Sequence, residues 1–327
     1  MNVKLVIGAL SMLLLPLSSA SVAEKFQFPV SASSRVLGYA PLWVADKKGF
    51  FERQGLNVEV TVTRGTSPSM EALVAESIHV ALAANDGVIA LVEKGIEDLA
   101  IIAGGSKSTH MIIGKNHIKK YEDLRGATIG ASTLTSGTAF LLRRVLKANG
   151  LEYPRDYSLV DVGGSGPSLI AIASGNVAAG ILSVPLNFRA QQLGLSLIGK
   201  VTDVFPNYLL SGFSVRRRWA QEHRAEVVKF LQALLWARKW LEENREDGAV
   251  FLANELKLNP VLARQGLDYY LDHRAWEPDL GINLDGLKAV LEVYQEQAAA
   301  RGPLPNPGKY LERSYLKAAL KKLGWRS

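Results

Sequence analysis

The feature that most constrains this chain is an alternation. From Phe26 to about Arg217, short apolar, β-branched runs take turns with amphipathic stretches that open on proline or a small polar residue. The strand candidates are Phe26–Ala32, Leu56–Val62, Val80–Ala84, Leu99–Gly104, His110–Gly114, Ala127–Ser132, Ser158–Val162, Ala178–Leu182 and Leu209–Val215. Helical segments are expected to begin near Pro41, Pro68, Asp86, Gly137, Pro167 and Pro185. Proline suits the first helical turn, where no N–H is needed, and Ser67, Asp86, Thr135 and Ser136 are candidate caps. Alternation of this kind predicts α/β layers with largely parallel sheets, and the strands divide more naturally into two small sheets than one large one. Beyond Arg217 the pattern is helical only, with Trp219–Asn244 expected as one long helix. No repeat, low-complexity tract or flexible linker separates the halves.

The first segment bears on the compartment. Met1–Lys4 carries one positive side chain, Leu5–Leu17 carries no charge, and small residues follow at Ser18, Ala20, Ser21 and Ala23. This is the layout of a secretory signal peptide, and the apolar run is too short for the roughly 20 residues of a spanning helix. Cleavage is expected after Ala23 or Ala20. The chain has no cysteine, which excludes disulfides, thiolate metal sites, cysteine nucleophiles and acylation at a lipobox. The expected product is secreted into the periplasm without a lipid anchor. With 327 residues, 48% hydrophobic and 21% charged, the chain can build a large core without staples. Its net charge of +7 is spread along the sequence rather than gathered in a basic stripe, so no nucleic-acid partner is expected.

Several blocks carry a family resemblance. GYAPLWVADKKGFFERQGLNVEV (Gly38–Val60) resembles the signature near the mature N-terminus of periplasmic solute-binding proteins of the nitrate/sulfonate/taurine type, a group that includes proteins similar to binders of thiamine's pyrimidine precursor. The stretches Gly65–Asp86, Tyr121–Leu151 and Gly163–Pro185 are similar to later blocks of the same family, in the same order. The resemblance implies a bilobal α/β fold of the type II periplasmic-binding-protein kind, its lobes joined by two crossing strands and closing like a hinge. It implies a signal peptide over 1–23, a first domain of 24–108 plus 215–327 and a second of 109–214, with the helical tail packed back on the first domain. The implied function is capture of a small solute, such as an organic anion like a sulfonate or an aromatic compound, and delivery to an ABC transporter permease. A sensory module serving a membrane receptor, or an enzyme of cofactor biosynthesis on the same fold, stands as an alternative. No phosphate-binding lysine motif, Ser/His/Asp order or paired carboxylates point to catalysis. The expectation is a monomer without cofactor or metal.

The expected ligand contacts follow the strand ends. In the first lobe they are Ser34, Arg35, Tyr39, Trp43, Ser67, Asn85 and Asp86: hydroxyls and a guanidinium able to hold an oxyanion, two aromatic walls, and a carboxylate that would favour an amine. In the second lobe they are Thr133, Thr135, Ser136, Gly137, Ser165 and Ser183, hydroxyls and a glycine around helix starts. Gly163, Gly164 and Gly166 read as turn formers. His110 and His117 lack a third ligand at metal spacing. Arg216–Trp219 reads as a solvated basic face, Trp236 and Trp240 as core packing, and Pro303–Tyr310 as a stiff surface connection.

Overall fold

The computed structural model describes residues 25–134 and 136–325, so the expected signal peptide and Thr135 lie outside the described residues. Four strands come first: β1 (Phe26–Ala32), β2 (Leu56–Val62), β3 (Val80–Ala84) and β4 (Leu99–Gly104). Five follow as β5 (Met111–Gly114), β6 (Thr128–Ala131), β7 (Ser158–Asp161), β8 (Ala179–Leu182) and β9 (Ser196–Lys200), and β10 (Ser211–Arg216) closes the series. They form two five-stranded sheets, β2-β1-β3-β10-β4 and β7-β6-β8-β5-β9. The chain thus leaves the first sheet after Gly104, builds the whole of the second, and re-enters the first at Ser211.

Both sheets are mixed rather than largely parallel. β10 runs antiparallel to β3 and β4, and β5 runs antiparallel to β8 and β9. The cause is the double crossing: a strand that enters a sheet from the other lobe arrives at the end where its neighbours finish. Burial follows position. β4 (LAIIAG) is buried throughout, whereas the edge strand β2 (LNVEVTV) keeps Leu56 inside and alternates outward from there.

Helices cover the sheets. α1 (Ala40–Lys47), α2 (Phe50–Arg53), α3 (Thr66–Val74) and α4 (Asn85–Glu93) belong to the first lobe, and α5 (Gly137–Ala148), α6 (Ser165–Ala173) and α7 (Leu186–Gln192) to the second. The helical tail is α8 (Arg217–Glu222), α9 (Arg224–Glu243), α10 (Arg245–Leu256), α11 (Pro260–Asp272), α12 (Leu284–Gln297) and α13 (Ser314–Leu323). The single helix expected over Trp219–Asn244 is interrupted at His223, whose φ of −113° and ψ of 37° leave the helical region. α9 packs on α1, α2 and α13. Phe230 stacks between Phe28 and Phe51, ring centres 4.9 and 5.1 Å away, which anchors the tail on the first lobe. The tail does not stay there. α12 packs on α4 and on α5 of the second lobe, and α11 packs on α7.

Several local expectations are corrected. α3 begins at Thr66 with Gly65 as its cap, so Ser67 lies within the helix. α4 is capped at Ala84, so Asp86 is its second residue and not its cap. Ser136 does cap α5, accepting from the Ala139 N–H at 3.2 Å. Trp236 is a surface residue lying edge-on to Trp325. Arg216 is paired, with Asp98 at 2.8 Å and Glu76 at 2.6 Å. Tyr310, in the supposed surface connection, is fully buried and donates to Glu93 at 2.6 Å.

Candidate functional site

In open α/β sheets, loops at the carboxyl ends of the strands are where unpaired helix-start N–H groups face solvent, and ligands gather there. Here the ends of β1, β2, β3, β6, β7 and β8 open into one cleft between the sheets. The antiparallel β5 and β10 bring their amino ends to it, with His110 and Leu210. The cleft holds two adjoining cavities of about 560 and 430 Å³. Thr66, Ala84, Thr138 and Leu210 line both, so the two form one continuous space.

The larger cavity lies among the starts of α3, α4 and α5 and the side of α12. Ser67, Asp86, Thr133, Ser136 and Gly137, from the set of expected contacts, line it together with Tyr208 and Tyr294. Asp86 is recessed in the wall. Burial raises its carboxyl above the ordinary carboxylate range, against the pull of the Gly87 and Asp86 N–H groups. Its charge in turn helps push up the Tyr39 and Tyr208 hydroxyls. Asp86 also meets the opposite lobe: a Cβ on Gly137 would overlap its Oδ2. Glycine at the first position of α5 is therefore what lets the two lobes approach at this point.

The smaller cavity takes Ser34, Arg35, Tyr39, Ser165 and Ser183 from the expected set, with His110, Ser106, Thr109 and Tyr270 besides. Its polar groups are mostly tied to one another. Tyr39 and Ser33 share a hydrogen bond of 2.8 Å, Ser165 and Ser183 one of 3.1 Å, and Thr109 and Tyr270 one of 3.2 Å. Burial outweighs the Ser33 hydrogen bond and lifts the Tyr39 hydroxyl to about 12. His110 shares a 3.0 Å contact with the Ser108 hydroxyl, and burial lowers it from 6.5 to about 4, so it is neutral at neutral pH. The Arg35 guanidinium is engaged by Glu255 and sits 5.1 Å over the Trp43 ring.

Two expected contacts do not reach the cleft. Trp43 is 1% exposed, packed in the core with its indole N–H donated to Val36 O at 3.1 Å. Asn85 is also 1% exposed and donates to Leu209 O at 2.8 Å, fastening the returning segment to α4. Gly164 and Gly166, read as turn formers, do line the smaller cavity, while Gly163 makes the turn with a φ of +85°. Sequence reasoning missed Thr66, Thr138, His110, Tyr208, Tyr270 and Tyr294. Thr66 and Thr138 adjoin expected residues and carried the same hydroxyl signal. The tyrosines had none, coming from segments far along the chain.

Residues 33–253 match the model of the NMT1-like family. The chain belongs to that family. It is 21% identical over 252 residues to a binding protein of Bacillus subtilis, covering 75% of each chain. A periplasmic sulfonate-binding protein of Methylobacillus flagellatus superposes with a TM-score of 0.75 at 17% identity, over 93% of this chain and 97% of that one. A desulfurization enzyme superposes with a TM-score of 0.68 at 16% identity, over 90% and 99%. The fold is the bilobal one of periplasmic solute-binding proteins, and at these identities the superpositions speak for fold alone.

Proposed function

We propose that this protein captures one small solute in the cleft between its lobes, in the periplasm, and hands it to an ABC-type permease. The observation that carries this reading is the continuous cleft, walled by strand ends of both sheets and by α12, with hydroxyls converging from each lobe. The names of the relatives support it: a binding protein by sequence and a periplasmic sulfonate binder by fold. A catalytic reading has less behind it. Among the described residues lining it, the cleft offers one carboxylate, one paired arginine and one neutral histidine; His110 reaches the Ser108 hydroxyl, but no carboxylate orients the imidazole as a base.

The first test is native mass spectrometry of the protein purified from its host, without refolding. A single retained adduct of small-molecule mass on a monomer is the expected result. Turnover of that molecule into a product by the purified protein would replace this reading with an enzymatic one. A micromolar or tighter dissociation constant is expected for the solute, about −8 kcal/mol or better.

A further inference from the structure

The charges lining the cleft deepen that reading and rest on it. Among the described residues that line the two cavities, the ionisable groups apart from tyrosines are Asp86, Arg35 and His110. The Arg35 charge is engaged by Glu255. His110 has no carboxylate partner and is uncharged at neutral pH. Asp86 is left, among the described residues, as the one cleft group apart from tyrosines that can become negative and has no cationic partner, and a cation beside it would favour its ionised form.

The helix starts weigh on the other side, because α3, α4 and α5 all point N-termini at the larger cavity. A helix end is worth about half a charge, and its influence fades within the first turn. Asp86 sits inside the first turn of α4, accepts N–H groups there, and lies against the first residue of α5. An acidic side chain in that position competes for the partial charges of the two nearest helix ends. A second anion entering beside it would meet the carboxylate before any free cation.

The aromatic lining is an independent observation in the same direction. Tyr208 and Tyr294 line the larger cavity, and Tyr39 and Tyr270 the smaller one. A carboxylate neighboured by tyrosines rather than by cations is an environment that suits organic cations, chiefly through charge pairing. We propose that Asp86 is the specificity-determining residue of the cleft and that the solute presents a protonated nitrogen to it, making this a binder of organic ammonium or amidinium compounds rather than of sulfonates.

Three ring-matched probes test this by calorimetry at pH 7.5: benzylamine, benzyl alcohol and phenylmethanesulfonate. Benzylamine should bind at least about tenfold tighter than either of the others, and Asp86→Asn should remove most of that preference. Circular dichroism and a melting curve would accompany the variant, so that lost binding is not lost folding. Tighter binding of phenylmethanesulfonate overturns the proposal. So does a benzylamine preference that survives in Asp86→Asn, and so does saturation by none of the three at about 10 mM. Those results would leave solute capture itself standing, because it is judged by the retained adduct; an adduct that is an anion would spare capture and sink the cationic assignment.

Discussion

At the scale of single residues, His110 carries a stability prediction of definite sign. Its folded pKa is about 4 against an ordinary 6.5, and burial is the cause. The unfolded chain therefore takes up a proton that the native state refuses. The native advantage is whole above about pH 6.5 and is lost as pH falls towards 4, amounting to about 3–4 kcal/mol in full. Chemical denaturation at pH 7.5 and pH 5 should show wild type losing more stability than His110→Gln. Equal losses would mean that the imidazole is not desolvated. The same residue shows where sequence reading stops. Spacing excluded a metal role for His110 and said nothing of its place in the cleft, because that place depends on β5 entering its sheet antiparallel. Trp43 and Asn85 fail in the opposite way. Their positions after strand ends suggested contact, but an indole that fills the core and an amide that holds Leu209 O are turned away from the cavity.

At the scale of elements, two serines expected both as caps and as contacts part company. Ser136 is the cap of α5 and is also bonded to Ser132 Oγ at 2.7 Å and to Thr133 O at 2.9 Å. Ser67, expected as a cap, is exposed within α3, lines the larger cavity and has no hydrogen-bond partner among the described residues. Ser136→Ala should cost about 1 kcal/mol of stability through the lost cap, with any affinity change confounded by it. Ser67→Ala should leave stability within about 0.5 kcal/mol and, if its hydroxyl meets solute, weaken binding by about 0.5–1.5 kcal/mol. Paired melting and titration measurements separate the two, and a large melting shift in Ser67→Ala would show a structural role that the geometry does not contain. The strands themselves were legible: nine of the ten among the described residues overlap runs picked from β-branched periodicity. β9 (SLIGK) escaped because one isoleucine and a half-exposed burial pattern give it little periodic signal. Strand direction was not legible, since local sequence encodes an extended chain and not the neighbour it pairs with.

At the scale of the molecule, the two-sheet division could be read from the count and spacing of strands, while the bridging of the lobes by the tail could not. α12 touches α4 on one side and α5 on the other through residues over a hundred positions from either partner. No periodicity within the helix distinguishes a face meant for one lobe from a face meant for two. That bridge has a consequence for closure. Arg144 of α5 pairs with Glu296 of α12 at 2.8 Å and approaches Glu292 at 4.0 Å, across the boundary between the second lobe and the tail. Both ends are partly exposed, so the pair is worth no more than about 1 kcal/mol. It acts only when α5 and α12 are together, so removing it weakens that contact by that amount and no more. Glu296→Ala should therefore enlarge the radius of gyration of the solute-free protein slightly and weaken solute binding by about fivefold at most, with the saturated protein scattering like wild type. An unchanged solute-free radius together with wild-type affinity would mean that α5 and α12 move as one body and that any hinge lies elsewhere, in the two crossings at 105–110 and 201–210.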